Sequence, residues 1–161
     1  MSVWMYAWEA PAYRALGDWR KGWTHPTSFG AVPKATIHDV STSLALRVEH
    51  ARYLALPLAG VALDRQKCFD YLVTDVCLAL ALHVGCPPDI VNVRRNFYAN
   101  HRRYIRMGGA YSPPLARTNG HLQGSSFSLD DIKLLMCVWT NRQHRHVPRS
   151  LSTTFVDDSN S

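Results

Sequence analysis

The sequence predicts an α+β fold in which a small antiparallel sheet packs on helices, and three observations carry that expectation. Apolar residues recur at helical spacing in several separate segments, a Gly-Gly pair interrupts a run of strand formers, and short β-rich runs stand at Leu58 to Leu63 and near the C-terminus. The resulting order of helix, strand, helix, helix, hairpin, helix and strand lacks the alternation of a parallel α/β sheet.

An aromatic-rich N-terminal stretch leads into Trp23 to Lys34, which holds two prolines and a glycine and reads as irregular. A helix is expected next, with Asp39 as N-cap, Val40, Leu44, Val48, Ala51 and Tyr53 near helical spacing, and an end before Pro57. Leu58 to Leu63 is too short for a helix and suits a buried strand, with Asp64 at its end. Phe69 to Gly85 is mostly helix, stopped by Gly85, and Pro87-Pro88 open another helix from Asp89 to about His101. Tyr104, Ile105 and Met107 on one side of Gly108-Gly109 and Tyr111 to Thr118 on the other read as a hairpin, its second arm made irregular by Pro113-Pro114. Phe127, Ile132, Leu135, Met136 and Trp139 mark a helix capped near Ser128, and STTFV closes the chain as a strand.

At 161 residues, with 47% apolar and 19% charged, the chain has the makings of one soluble domain with a real core. No apolar run approaches the ~18–20 residues of a membrane-spanning helix. The N-terminus lacks a basic start followed by an apolar stretch and cleavage site, so an intracellular, reducing compartment is expected. The four cysteines show no close pair of the kind zinc sites use, and read as mostly buried thiols. The net charge of +6 is concentrated in two clusters, Arg94 to Arg106 and Arg142 to Arg149, either of which could neutralise phosphates or simply be a solvated basic face.

Three stretches stand in a significant order: DRQKCFD at Asp64 to Asp70, GHLQGSS at Gly120 to Ser126, and FVDD at Phe155 to Asp158. Each alone has an ordinary reading, as a turn former after a strand, a loop before a helix, or a solvated acidic pair. Together they resemble the palm of reverse transcriptases of the non-LTR retroelement (retrotransposon) type. Asp64, Lys67, Phe69 and Asp70 match the family's first palm motif; Gly120, Gln123 and Gly124 match its second; Phe155 to Asp158 match its Y-A-D-D motif with Phe for Tyr. The similarity extends over about residues 25 to 161, with Leu122 in place of a proline before the Q-G pair.

The resemblance implies an RNA-directed DNA polymerase, a nucleotidyltransferase using Mg2+ (or Mn2+) at Asp64, Asp157 and Asp158. It implies residues 1–57 as a fingers-adjacent helical segment and residues 58–161 as a partial catalytic palm. Phe69 is expected under the incoming sugar, where its ring would exclude a 2′ hydroxyl, with Gln123 and Gly124 near the bases. Partners would be an RNA template, a DNA primer and dNTPs, with Arg94, Arg95, Arg102, Arg103 and Arg106 gripping nucleic acid. Family segments upstream and downstream find no counterpart here, so the resemblance implies a fragment, inactive alone. The alternative is a nucleic-acid-binding remnant without catalysis, using the basic segment with Tyr98 and Tyr104 stacking on bases. A helical interaction protein with neither activity is the third reading.

Overall fold

The structure is a computed structural model that describes residues 3–30, 32, 35–60, 66–115, 119–148, 150 and 152–153. Six α-helices occur among these residues: α1 Val3–Ala15, α2 Gly17–Trp23, α3 Ile37–Tyr53, α4 Thr74–His83, α5 Pro88–Asn100 and α6 Ser126–His146. A 3₁₀ turn, Cys68–Tyr71, precedes α4, and two short antiparallel strands, β1 Arg106–Met107 and β2 Ala110–Tyr111, follow α5. The helices far outweigh the sheet, and the α+β expectation holds only at that coarse level.

Local chemistry sets the element ends. Thr36, three residues ahead of the expected cap, starts α3 through a capping box: Asp39 N–H donates to Thr36 Oγ1 at 3.4 Å, and Thr36 N–H donates to Asp39 Oδ2 at 2.7 Å. Asp39 is thus the third helical residue. Likewise α6 is capped by Ser125, whose Oγ accepts from the N–H of Ser128, the expected cap residue. Pro88 opens α5, and Gly85 closes α4 in a left-handed conformation, both where expected.

Helix α6 is the axis of the fold. Phe127, Ser128, Asp130, Asp131, Ile132, Lys133 and Leu134 are all buried, so its first half is covered on every face. It packs against α1, α4 and the 3₁₀ turn, while α4 also packs on α5. One core cluster joins Leu16, Leu78, Ala81, Cys86, Val91, Phe127 and Leu134, with Trp8, Tyr13 and Trp19 against it. Complete burial of Leu78 or Phe127 contributes about 1.5–3 kcal/mol each. Leu16, Trp19 and Trp23 pack with residues of the later helices, so both parts of the chain share this core.

The start of α6 is also held from α1. Glu9, only 2% exposed, accepts from Ser125 Oγ at 2.7 Å and from Phe127 N–H at 2.9 Å through one carboxylate oxygen. The carboxyl oxygen thereby satisfies one orphan backbone donor at the helix N-terminus.

One expectation fails, and two others fall partly outside the described residues. The strands β1 and β2 are exposed along both residues, so the hairpin projects outward and is not packed on the helices. The run Leu58 to Leu63 is irregular through Gly60, its remainder lying outside the described residues, as does the STTFV segment from Thr154 onward. A strand needs a neighbouring ladder, and among the described residues the exposed Leu58 has none. No helix among the described residues is long and apolar enough to cross a membrane.

Candidate functional site

Two sequence stretches more than forty residues apart meet through their backbones. The carbonyls of Phe69 in the 3₁₀ turn and of Leu72 just after it accept from His121 N–H at 2.7 Å and Gly120 N–H at 2.8 Å. The contact is so close that a Cβ on Gly120 would lie 2.9 Å from the Asp70 carbonyl oxygen, and Gly120 also has φ +94°. Only glycine meets both conditions without strain. The DRQKCFD and GHLQGSS stretches are thereby joined along one edge.

On that edge Gln123 and Gly124 are exposed, while Phe69 is half-buried against the Leu72, Cys77 and Ile132 cluster. Asp70 is exposed and Lys67 takes a left-handed conformation (φ +50°). Asp64, Asp157 and Asp158, the three expected metal ligands, lie outside the described residues.

The expected basic set divides. Arg95, Arg102 and Arg106 are exposed, and Arg103 is half-buried with its backbone bridged to Leu115. Tyr104 is exposed beside them, and Arg106 lies over the ring of Tyr111 on the projecting hairpin. Arg94, by contrast, is 1% exposed. Its guanidinium pairs with Asp131 and lies over the Phe127 ring, so it faces the core and cannot grip a phosphate. Tyr98 is also buried, stacked on His121 with ring centroids 4.6 Å apart, and is no platform for a base. Spacing explains the error: α5 turns Val91, Arg94 and Tyr98 onto one inward face, a period that charge counting overlooks.

Behind the joined loops lies a buried polar cluster that local sequence patterns do not announce. Cys77 from α4, His121 from the loop and Asp131 from α6 bring one potential ligand atom each within 4.8 Å of one another. His121 Nδ1 is 2.8 Å from Asp131 Oδ2, close enough for an ion pair but without hydrogen-bond alignment. Asp131 Oδ1 and His121 Nε2 are buried with no hydrogen-bond partner. Burial, and then the Asp131 charge, push the Cys77 thiol up to about 12. Burial opposes the charge on Arg94, but the Asp131 charge and hydrogen bond together outweigh it and hold Arg94 above its ordinary value.

A second ionisable group sits one residue away. Asp130 is fully buried, with Tyr13 Oη donating to Oδ1 at 3.4 Å and Arg20 at 3.8 Å from Oδ2. Burial raises its carboxyl to about 7, although Arg20 and Lys133 pull the other way. Lys133, itself lowered by burial against the pull of Asp130, places Nζ 5.5 Å from the Trp23 ring centroid. The signal available in the sequence was an acidic pair, Asp130-Asp131, inside an apolar helix pattern, since buried carboxylates require partners.

Comparison of the chain with protein-family models, with curated proteins and with solved structures returned no match.

Proposed function

We propose that this chain is the palm region of an RNA-directed DNA polymerase, in which the joined DRQKCFD and GHLQGSS stretches form the floor of a deoxynucleotide site. The observation that carries the reading is the pair of backbone hydrogen bonds from Gly120 and His121 to Leu72 and Phe69. A nucleotidyl-transfer site needs the residue beneath the sugar and the loop beside the bases to be neighbours, and these two stretches are. Phe69 would exclude a 2′ hydroxyl; the exposed Gln123 and Gly124 would lie along the base pair being formed.

Asp64, Asp157 and Asp158 supply hard oxygen donors, the type suited to Mg2+ or Mn2+. When bound, a pair of such ions would acidify the primer hydroxyl and neutralise the leaving oxygen. The buried Cys77, His121 and Asp131 set, with its sulfur and nitrogen donors, does not suit those ions. Arg95, Arg102, Arg103 and Arg106 would neutralise template or primer phosphates, Arg94 serving the core instead.

Primer extension on an RNA template tests the reading, using this chain and a polypeptide carrying it with fingers and thumb segments at its two ends. The proposal requires Mg2+-dependent extension by the longer form that falls at least about a hundredfold in Asp64→Asn and Asp157→Asn. Equal activity of wild type and both variants refutes the catalytic assignment. A second reading is favoured by the exposed arginines beside Tyr104: binding of single-stranded nucleic acid without catalysis. Salt-sensitive binding that is indifferent to Mg2+ and to Asp157→Asn would select it.

A further inference from the structure

We propose that Cys77, His121 and Asp131 bind a zinc ion, which ties the loop carrying Gln123 and Gly124 to α4 and α6. The three ligand atoms come from three separate elements and lie within 4.8 Å of one another, all of them in buried side chains. Tetrahedral zinc takes Cys sulfur at ~2.3 Å, His nitrogen at ~2.0–2.1 Å and carboxylate oxygen at ~2.0–2.2 Å. Those bond lengths place ligand atoms roughly 3.3–3.7 Å apart. Closing the cluster by about an ångström therefore suffices, within reach of side-chain torsions alone.

Unpaired atoms supply the second argument. A buried polar atom without a partner is destabilising, and this cluster holds three, Asp131 Oδ1 and both ring nitrogens of His121, in side chains almost wholly buried. A cation between them and the Cys77 sulfur satisfies the group that the rest of the fold leaves unsatisfied. Arg94 already occupies Asp131 Oδ2, leaving Oδ1 for the metal and fixing the orientation of the carboxylate. Tyr98, stacked on the imidazole, fixes the ring plane of His121. Such outer partners normally accompany ligands and sharpen metal affinity.

The donor set selects the ion. One sulfur, one nitrogen and one oxygen suit zinc and disfavour Mg2+ and Ca2+, which take all-oxygen shells. Three protein ligands leave one coordination position for a non-protein ligand. On binding, the Cys77 thiol gives its proton to solvent and the thiolate sulfur bonds the metal, so zinc uptake releases one proton from this residue. The inference stands apart from the polymerase reading, because metal content is read whether or not the protein extends a primer.

The test is zinc stoichiometry on the whole chain, purified under reducing conditions and measured by mass spectrometry of the metal after gel filtration. One zinc per chain is expected, lost in Cys77→Ser and in His121→Gln and retained in Cys137→Ser, whose thiol lies outside the cluster. If the ligand variants fail to fold, cobalt exchanged into the wild-type protein decides the matter. A thiolate-to-cobalt charge-transfer band with one equivalent of Co2+ that Zn2+ bleaches, and that persists in Cys137→Ser, supports the site. Wild-type protein that binds no zinc, or whose cobalt form lacks the thiolate band, overturns it.

Discussion

Asp130 should make the folded protein less stable as pH rises toward neutrality, the reverse of the usual carboxylate behaviour. Burial raises its carboxyl from 3.8 to about 7, with Arg20 and Lys133 lowering it only in part. A raised folded-state value means that the native protein binds more protons than the unfolded chain between those two pH values. Stability from this group is therefore fully present below about pH 3.8 and lost as pH climbs through 7. At about 1.36 kcal/mol for each pH unit, the loss is about 4 kcal/mol. Asp130→Asn keeps an oxygen to accept from Tyr13 and removes the ionisation. Urea unfolding, followed by tryptophan fluorescence from pH 5 to pH 8, should show wild type losing stability relative to the variant by at least about 2 kcal/mol over that range. The difference between the two proteins removes the background of all other carboxylates. Curves that stay parallel within about 0.5 kcal/mol would refute the assignment of a buried, proton-holding Asp130.

Two further outcomes follow from particular contacts. Gly120→Ala places a Cβ against the Asp70 carbonyl and strains a φ of +94°, so it should cost about 2–4 kcal/mol in denaturant unfolding; a change under about 0.5 kcal/mol would show that the two loops are not in contact. Replacing Arg95, Arg102 or Arg106 by alanine should lower the salt slope of single-stranded RNA binding by about 0.7 each in fluorescence anisotropy. Arg94→Ala should instead destabilise the fold by about 3–5 kcal/mol by stranding Asp131, and a variant that binds less while folding normally would contradict its placement.

Helices with strong punctuation were legible in the sequence. Pro88 and Gly85 fixed two ends, and Gly108-Gly109 located the β1–β2 turn, because each residue type constrains the backbone locally. The N-caps of α3 and α6 were misplaced by three residues, since in a capping arrangement the cap and the residue three positions on both look like caps. The site was legible only in part. Gly120, Gln123 and Gly124 stood out by local motif, and the structure brings their loop to Phe69. The Cys77, His121 and Asp131 cluster was not legible, because its members are far apart in sequence and only packing of α4, the loop and α6 assembles them. Arg94 was misassigned because charge alone does not report which way a helix faces, whereas the inward Val91 and Tyr98 do.

The central claim is that Asp64 and the Asp157-Asp158 pair share a divalent-cation site beside the Phe69 and Gln123 loops. Iron-directed backbone cleavage measures this without requiring catalysis: Fe2+ replaces Mg2+, ascorbate and peroxide generate radicals at the metal, and cut positions are mapped by mass spectrometry. The account predicts cuts close to Asp64 and close to Asp157 in the same molecules, suppressed by excess Mg2+ and lost in Asp64→Asn. Cleavage absent from both segments, or unchanged by Asp64→Asn, would contradict it.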